Sequence, residues 1–250
     1  MPVVLETVGL VKRFGGIAAA NDVSLRVEKG ARHALIGPNG AGKTTIINLL
    51  TGVLRPTAGQ ILLDGQNITG IESHRRVHLG IARTFQINQL FADLTPIEAI
   101  GLAVSERMGT GRQLWRLVGR SPEIVEDVVE LVEQFRLADV MYHPTAILPY
   151  GKQRLLEIAL AIACRPRVLL LDEPAAGVPE AERHEILATI AALPKDVTVL
   201  LIEHDMDIVF SFADRISVMV NGALFVEGNP DEVARDPRVK AVYLGEAVDG

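Results

Sequence analysis

A glycine-rich run between an apolar segment and a helix-prone segment is the most informative part of the sequence. Its nine residues are Gly37, Pro38, Asn39, Gly40, Ala41, Gly42, Lys43, Thr44 and Thr45. Successive backbone N–H groups of such a loop can surround phosphate oxygens at a helix N-terminus, which favours anions. Lys43 adds a positive charge for the outer phosphates, and the Thr44 hydroxyl is a natural Mg²⁺ ligand. The run therefore predicts a nucleotide-binding P-loop.

Two adjacent carboxylates follow the apolar run at residues 168–171. Ligands of open α/β sheets bind beyond the carboxyl ends of the strands, so Asp172 and Glu173 are placed to meet a bound nucleotide. Asp172 is predicted to hold Mg²⁺, and Glu173 to orient and deprotonate an attacking water. Taken without the P-loop, the same pattern also fits a strand that ends in a solvated acidic pair.

A third apolar run, residues 199–202, delivers His204 to the same predicted edge. A histidine at this position can reach a terminal phosphate, but a purely structural histidine fits the local pattern equally well. Gln86 follows a predicted strand over residues 81–85, and its local pattern fits a solvated amide at the end of a strand. Neither residue is assigned a role by its local sequence alone.

Alternating strands and helices predict an α/β fold with one helical insertion. The expected strands lie at 3–11, 23–27, 31–36, 60–63, 81–85, 168–171, 197–202, 215–220 and 223–226, with a hairpin turn at Asn221–Gly222. The expected helices lie at 43–50 and 153–164, with others that begin at a Thr95 capping box and at Ser121. Residues 88–148 form the predicted insertion.

Composition narrows the class of partner and compartment. The net charge of −6 argues against nucleic-acid binding, which needs a basic face. The one cysteine, Cys164, fits a reducing compartment and is expected to be buried filler. The first residues lack the basic region and apolar run of a signal peptide, so none is expected, and no apolar stretch approaches the roughly 20 residues that a membrane span needs.

The order of these motifs resembles that of the ATP-binding subunits of ABC transporters over essentially the whole chain. The P-loop is followed by Gln86, a signature at residues 148–154, the carboxylates at 171–173, a D-loop at 175–179 and His204. The resemblance implies a single P-loop NTPase domain over residues 1–250. It would contain a RecA-like core with an antiparallel β subdomain (1–87 and 149–250) and an inserted helical subdomain (88–148).

The resemblance also implies roles for the site residues, with ATP and Mg²⁺ as cofactors. Glu173, His204 and Gln86 would be catalytic, and Thr44, Gln86 and Asp172 would hold the metal. Phe14 would stack on adenine, although a core phenylalanine is an alternative. Tyr150, Gly151 and Lys152 of the signature would contact ATP held by a second ATPase subunit, identical or homologous. Other implied partners are ABC permease subunits and, indirectly, an external substrate-binding protein, which places the chain in the cytoplasm on the inner face of the membrane.

Two departures from the family pattern affect the predicted dimer. Pro149 and Tyr150 replace the usual Ser and Gly of the signature, and Pro179 replaces the usual Asp of the D-loop. Proline has neither a hydroxyl nor a backbone N–H. A contact with the terminal phosphate, and communication between the two ATP sites, are therefore expected to differ here.

Several stretches look most like the ATPase subunits of branched-chain amino-acid importers. They are residues 150–159, 172–177, 202–206 and 242–246, and residues 105–120 resemble the larger of the two ATPases of such importers. Importers of urea or short amides, lipopolysaccharide transporters and non-transport ABC ATPases remain alternatives. A P-loop kinase or GTPase would lack the signature.

Overall fold

The computed structural model describes residues 2–84, 90–109 and 121–244. The chain divides into two compact units. The first unit contains residues 1–81, 167–173 and 194–250, and the second contains 82–166 and 174–193. Within the described ranges, no helix combines the length and apolarity that crossing a bilayer requires. The subdomain limits of 88 and 148 stay a prediction.

The described elements alternate between strands and helices, as an α/β fold requires. The strands are β1 (Val3–Phe14), β2 (Ile17–Val23), β3 (Arg26–Glu28), β4 (Arg32–Ile36), β5 (Ala58–Leu63), β6 (Gln66–Asn67), β7 (Ile81–Arg83), β8 (Val168–Asp172), β9 (Thr198–Ile202), β10 (Arg215–Val220) and β11 (Ala223–Gly228). The helices are α1 (Lys43–Leu50), α2 (Ser73–His78), α3 (Pro96–Arg107), α4 (Pro122–Gln134), α5 (Tyr150–Ala163), α6 (Glu180–Ala191), α7 (Met206–Phe212), α8 (Pro230–Arg235) and α9 (Pro237–Leu244).

An antiparallel sheet in the first unit has the order β2-β1-β5-β6, and β3 also pairs with β1. The prediction of one strand at 23–27 was wrong, because β2 ends at Val23 and β3 begins at Arg26. Most of β2 is built from alanine and polar residues, which have low strand propensity. Its pairing with the long strand β1 overrides that propensity.

The predicted site lies at the carboxyl ends of the strands of the second sheet. Its central strands β10, β4, β9 and β8 are parallel neighbours, and β11 pairs with β10 in antiparallel fashion. The apolar runs of β8 and β9 are almost completely buried, as expected for strands covered on both faces. Ile202 is the Cα partner of both Leu35 and Asp172, so β8 and β9 end at the same level and β4 ends one residue further on.

The hairpin turn between β10 and β11 forms as predicted and joins two other elements. Gly222 donates its N–H to the Ala41 carbonyl at 3.0 Å. Its own carbonyl accepts from Asn21 of β2 at 2.8 Å. The turn therefore links the P-loop to the antiparallel sheet.

A buried arginine stabilises the carboxyl end of α1. Arg76 is almost fully buried, and its Nη1 donates to the carbonyls of Leu49 and Leu50 at 2.7 and 2.8 Å. The same guanidinium also donates to the carbonyls of Thr69 and Ile71. A positive charge at this position complements the helix dipole and satisfies carbonyls that lack intrahelical partners.

The second unit consists mainly of α3, α4, α5 and α6. The predicted capping box is confirmed, because Thr95 and Glu98 exchange backbone-to-side-chain hydrogen bonds at the start of α3. The start predicted for α5 was three residues too late, since the helix begins at Tyr150. Glycine at position 151 weakened the sequence signal, but tertiary contacts hold this first turn helical.

The lone cysteine lies at the carboxyl end of α5. Cys164 is partly buried, so the expectation of a fully buried residue was too strong. Burial raises the pKa of its thiol, which keeps it protonated and makes it a poor nucleophile.

Candidate functional site

The P-loop connects the carboxyl end of β4 to the N-terminus of α1. Gly42 caps the helix with φ of 99°, and a Cβ there would lie 2.3 Å from the Ala19 carbonyl oxygen. Glycine is therefore required both by the backbone conformation and by the close approach of β2. The first turn of α1 carries no acidic side chain, so its N-terminus remains suited to an anion.

The P-loop lysine is held inside its own loop. Lys43 Nζ donates to the carbonyl oxygens of Gly37 and Pro38, at 2.6 and 3.1 Å. Burial lowers the pKa of Lys43, while the charges of Glu173 and Asp172 oppose that effect. The ammonium group thus lies within electrostatic reach of both carboxylates, where a phosphate chain can replace its carbonyl contacts.

Glu173 occupies a strained backbone position at the end of β8. Its φ is 48°, which is uncommon for a residue with a side chain. Its N–H donates to the Ile202 carbonyl at 2.9 Å, which continues the ladder between β8 and β9. This turn directs the Glu173 carboxylate away from the strand, where it is accessible to solvent.

His204 lies against two carboxylates. Its Nδ1 is 3.4 Å from Glu173 Oε1 and 3.9 Å from Glu203 Oε2. Glu203 is only 2% exposed, and its Oε2 accepts the His204 backbone N–H at 3.2 Å. Sequence reasoning missed Glu203. The available signal was an acidic residue directly after a buried apolar strand.

Phe14 ends β1 at the tip of a hairpin. Its side chain is 49% exposed, so the alternative of a core phenylalanine does not hold. Lys12 Nζ lies 5.1 Å from the centroid of the ring. An exposed aromatic ring at a hairpin tip can offer a face to a flat base.

The three signature residues that were expected to contact nucleotide all lie in the first turn of α5. Tyr150 donates its hydroxyl to the Ala176 carbonyl at 3.3 Å, and the Gly151 N–H donates to Glu182 Oε2 at 2.9 Å. The Lys152 ammonium donates to the Arg136 carbonyl and pairs with Asp139 at 3.0 Å. In this conformation the Lys152 charge is turned toward the end of α4.

The residues present fit a magnesium ion that is shared with phosphate. Among residues 2–84, 90–109 and 121–244 no group of three or more His, Cys, Asp or Glu side chains is placed to hold a metal. Mg²⁺ often takes only one or two protein ligands and fills its octahedron with waters and phosphate oxygens. Thr44 is exposed in the first turn of α1, and Asp172 acts electrostatically on the neighbouring Lys43. Gln86, the third predicted ligand, lies outside the described residues.

Comparisons with known proteins agree with this geometry. A family model described as "ABC transporter" matches residues 20–176, and one described as "Branched-chain amino acid ATP-binding cassette transporter" matches residues 224–249. The chain is 43% identical to the high-affinity branched-chain amino acid transport ATP-binding protein BraF of Pseudomonas aeruginosa, with 98% of each chain covered. It is 39% identical to LivG of Escherichia coli K12, which has the same description, with 97% of this chain and 98% of LivG covered.

Solved structures give the same result. The structure described as the ADP conformation of MJ1267, an ATP-binding cassette of an ABC transporter, superposes with a TM-score of 0.85 at 33% identity. The match covers 98% of this chain and 100% of that one. The structure of cbiO1 from Clostridium perfringens, part of the ABC transporter complex cbiONQ, gives a TM-score of 0.79 at 26% identity, with 99% of this chain and 100% of that one covered. The chain therefore belongs to the ABC transporter family, as one of its ATP-binding, ATP-hydrolysing subunits.

Proposed function

We propose that this chain supplies the ATP-driven step of an importer for branched-chain amino acids. The grouping of Lys43, Asp172, Glu173 and His204 at one sheet edge is the observation that carries the hydrolytic part. The substrate is proposed from the relatives, whose names assign them to branched-chain amino acid transport. The family match at residues 224–249 supports the same substrate class.

Lys43, Thr44, Asp172 and Glu173 have distinct parts in the proposed hydrolysis. Lys43 exchanges its two carbonyl contacts for oxygens of the outer phosphates. Thr44 and Asp172 would hold Mg²⁺, which neutralises negative charge on the phosphates. Glu173 takes a proton from the water that attacks the terminal phosphorus, and ADP leaves as the bond to its terminal oxygen breaks. Gln86 is assigned to the metal and the water on motif order alone.

The complete ATP site also needs a second ATPase chain, either a copy of this one or a homologue. In the proposed head-to-tail pair, the P-loop of each chain faces the signature turn of the other. Tyr150, Gly151 and Lys152 then meet the terminal phosphate, with the Gly151 N–H as the principal donor. Phe14 stacks on the adenine of the nucleotide that its own chain binds.

The remaining proposed partners are those that an importer needs in order to move its substrate across a membrane. The permease subunits are proposed to bind the helical unit that contains α3 and α4, and a substrate-binding protein delivers cargo on the far side. The chain would lie peripherally on the cytoplasmic face of the membrane.

Two substitutions test the assignment at the sheet edge. Glu173→Gln is expected to retain ATP binding and to lose most turnover, because the amide cannot take a proton from water. Lys43→Ala is expected to weaken nucleotide binding itself, since it removes a charge that faces phosphate. Equilibrium binding of a fluorescent ATP analogue and steady-state phosphate release separate the two effects. Near-normal phosphate release by Glu173→Gln would contradict the role of Glu173 as the base.

Transport assays test the substrate. Proteoliposomes that contain this chain with its permease subunits and binding protein are expected to take up labelled leucine, isoleucine or valine when ATP is inside. The same vesicles with Glu173→Gln are the matched control and should not accumulate the label. Uptake of urea or a short amide without uptake of leucine would assign the chain to one of the alternative importers.

A further inference from the structure

The first turn of α5 has an unusual cap. Pro149 occupies the N-cap position and provides no side-chain acceptor for the first N–H groups of the helix. The acceptor comes instead from α6, whose Glu182 carboxylate receives the Gly151 N–H at 2.9 Å. An anionic side chain of the same chain thus occupies the N-terminus of the signature helix.

The absence of a side chain at Gly151 permits this contact. A Cβ at that position would lie 2.2 Å from Glu182 Oε2 and 3.2 Å from its Cδ. A side chain there would displace the carboxylate. Glu182 also lies in the first turn of α6, so its charge is favoured by the dipoles of two helices, α5 and α6.

A second contact joins the same two segments. Tyr150 donates its hydroxyl to the carbonyl of Ala176, and its hydroxyl would lie 3.1 Å from a Cβ on Gly177. Tyr150 therefore attaches the segment before α6 to the first turn of α5, and Gly151 attaches the first turn of α6 to the same place. The Lys152 ammonium, which pairs with Asp139, does not neutralise the Glu182 carboxylate.

The Gly151 N–H is the group that the Proposed function assigns to the terminal phosphate of the second chain. One N–H cannot serve both anions with good geometry, and a carboxylate left beside the phosphate would repel it. We propose that Glu182 is an intramolecular competitor for that phosphate, bound to the signature turn in the isolated chain and displaced when the ATP-loaded pair closes. This inference rests on the proposed head-to-tail pair.

Competition predicts a gain of dimerisation when the carboxylate is neutralised. In a Glu173→Gln background, which keeps ATP intact, we compare Glu182 with Glu182→Gln by analytical ultracentrifugation over a range of protein concentrations. The amide oxygen can still accept the Gly151 N–H, but it lacks the charge that favours its binding and that repels phosphate. The ATP-dependent dimer is expected to form about tenfold more tightly, which is near the lower end of what a hydrogen bond to a charged group contributes.

Two further variants define the cause. Glu180→Gln is the matched control. It removes the same charge from the same helical turn, but Glu180 is exposed and makes no contact with Gly151 in the structure. It is expected to change dimerisation less than twofold. Glu182→Ala leaves the Gly151 N–H without its acceptor and is expected to strengthen the ATP-dependent dimer at least as much as Glu182→Gln, with a lower melting temperature.

A purely structural cap predicts the opposite sign. If Glu182 only holds α5 in place, both Glu182 variants should dimerise as weakly as the background protein or more weakly, and that result would overturn the inference. An equal gain with Glu180→Gln would also overturn it, because general charge repulsion would then be the cause. Absence of an ATP-dependent dimer in every variant, including the background protein, would instead contradict the head-to-tail pair of the Proposed function.

Discussion

The imidazole of His204 faces the Glu173 carboxylate through Nδ1, at 3.4 Å from Oε1. Glu203 Oε2 lies 3.9 Å from the same nitrogen. Both carboxylates lie beside Nδ1 and favour a hydrogen on that nitrogen, which leaves Nε2 available to a phosphate. The ring thus lies beside two acidic residues, of which Glu173 is solvent-accessible and Glu203 is buried.

Neutralising the buried carboxylate should weaken turnover without weakening binding. Glu203→Gln keeps an oxygen for the His204 backbone N–H but removes the charge beside Nδ1. We expect kcat for ATP to fall about tenfold while KM stays within twofold, because the proposed role of His204 is to stabilise the transition state rather than bound ATP. Steady-state ATPase measurements check this. A rise in KM with unchanged kcat would assign Glu203 to nucleotide binding instead.

The exposed ring of Phe14 should contribute to ATP affinity. Stacking of a base on an aromatic side chain contributes about 1–3 kcal/mol, so Phe14→Ala is expected to raise the Kd for ATP about tenfold. Phe14→Tyr keeps a stacking face and serves as the control, with affinity close to that of the parent. Isothermal titration with ATP measures both, and equal Kd values for Phe14→Ala and the parent would remove Phe14 from the adenine site.

The buried guanidinium of Arg76 should be important for stability. Arg76→Met leaves four carbonyl acceptors without their donor, and we expect the free energy of unfolding to fall by about 3 kcal/mol. Arg75→Met is the matched control, because the neighbouring Arg75 side chain is exposed. Urea unfolding at pH 7.5 compares the two variants. Equal midpoints would mean that the Arg76 hydrogen bonds add no net stability.

A buried histidine should make the protein sensitive to mild acid. His33 is fully buried, and Ser217 Oγ lies 2.8 Å from its Nε2 while donating to Glu227 Oε2 at 2.6 Å. The Ser217 oxygen therefore accepts from His33 Nε2–H, and Nδ1 has no partner among the described residues. Burial lowers the pKa of His33 to about 4, and the Arg215 charge also lowers it, whereas Glu227 and Glu28 raise it.

The sign of the pH effect follows from this lowered pKa. The unfolded chain protonates His33 near pH 6.5, so the stabilising contribution is complete above that pH and is lost as the pH falls toward 4. The loss amounts to about 3 kcal/mol. Between pH 7 and pH 4, the free energy of unfolding of His33→Gln should fall by about 3 kcal/mol less than that of the parent, as measured by urea unfolding. His74→Gln, which changes an exposed histidine, should behave like the parent. Parallel profiles for His33→Gln and the parent would contradict the assignment.

The parts of the site that depend on strand and loop chemistry could be predicted from the sequence. The apolar runs before Asp172 and His204 predicted two strands, and these strands pair in parallel in the structure. The carboxyl ends of parallel neighbours lie at the same edge of a sheet. The P-loop followed from residue types whose backbone and side chains suit phosphate. These features are local, so a single sequence contains them.

The parts that depend on tertiary contacts could not be predicted. Glu182 is separated from Gly151 by 31 positions, and nothing in the sequence joins an acidic residue of one helix to the first turn of another. In the sequence, Glu203 is indistinguishable from any polar residue at the end of a strand, and only its distance to His204 indicates a role. Strand β2 forms because β1 provides its hydrogen-bond partners, despite its alanine-rich sequence. The position of Gln86 stays a prediction.

The Gly222 bridge has a consequence for how the nucleotide is recognised. Through Ala41 and Asn21, the bridge fastens the phosphate loop to β2, and β2 forms the hairpin with the strand that ends in Phe14. The spacing between Phe14, the proposed adenine-stacking residue, and the phosphate loop is therefore set before ATP binds, so we expect little conformational entropy to be lost on binding. A ligand that contacts both Phe14 and the phosphate loop therefore binds without rearranging either. A ligand that contacts only one of them gains less affinity from this preset spacing.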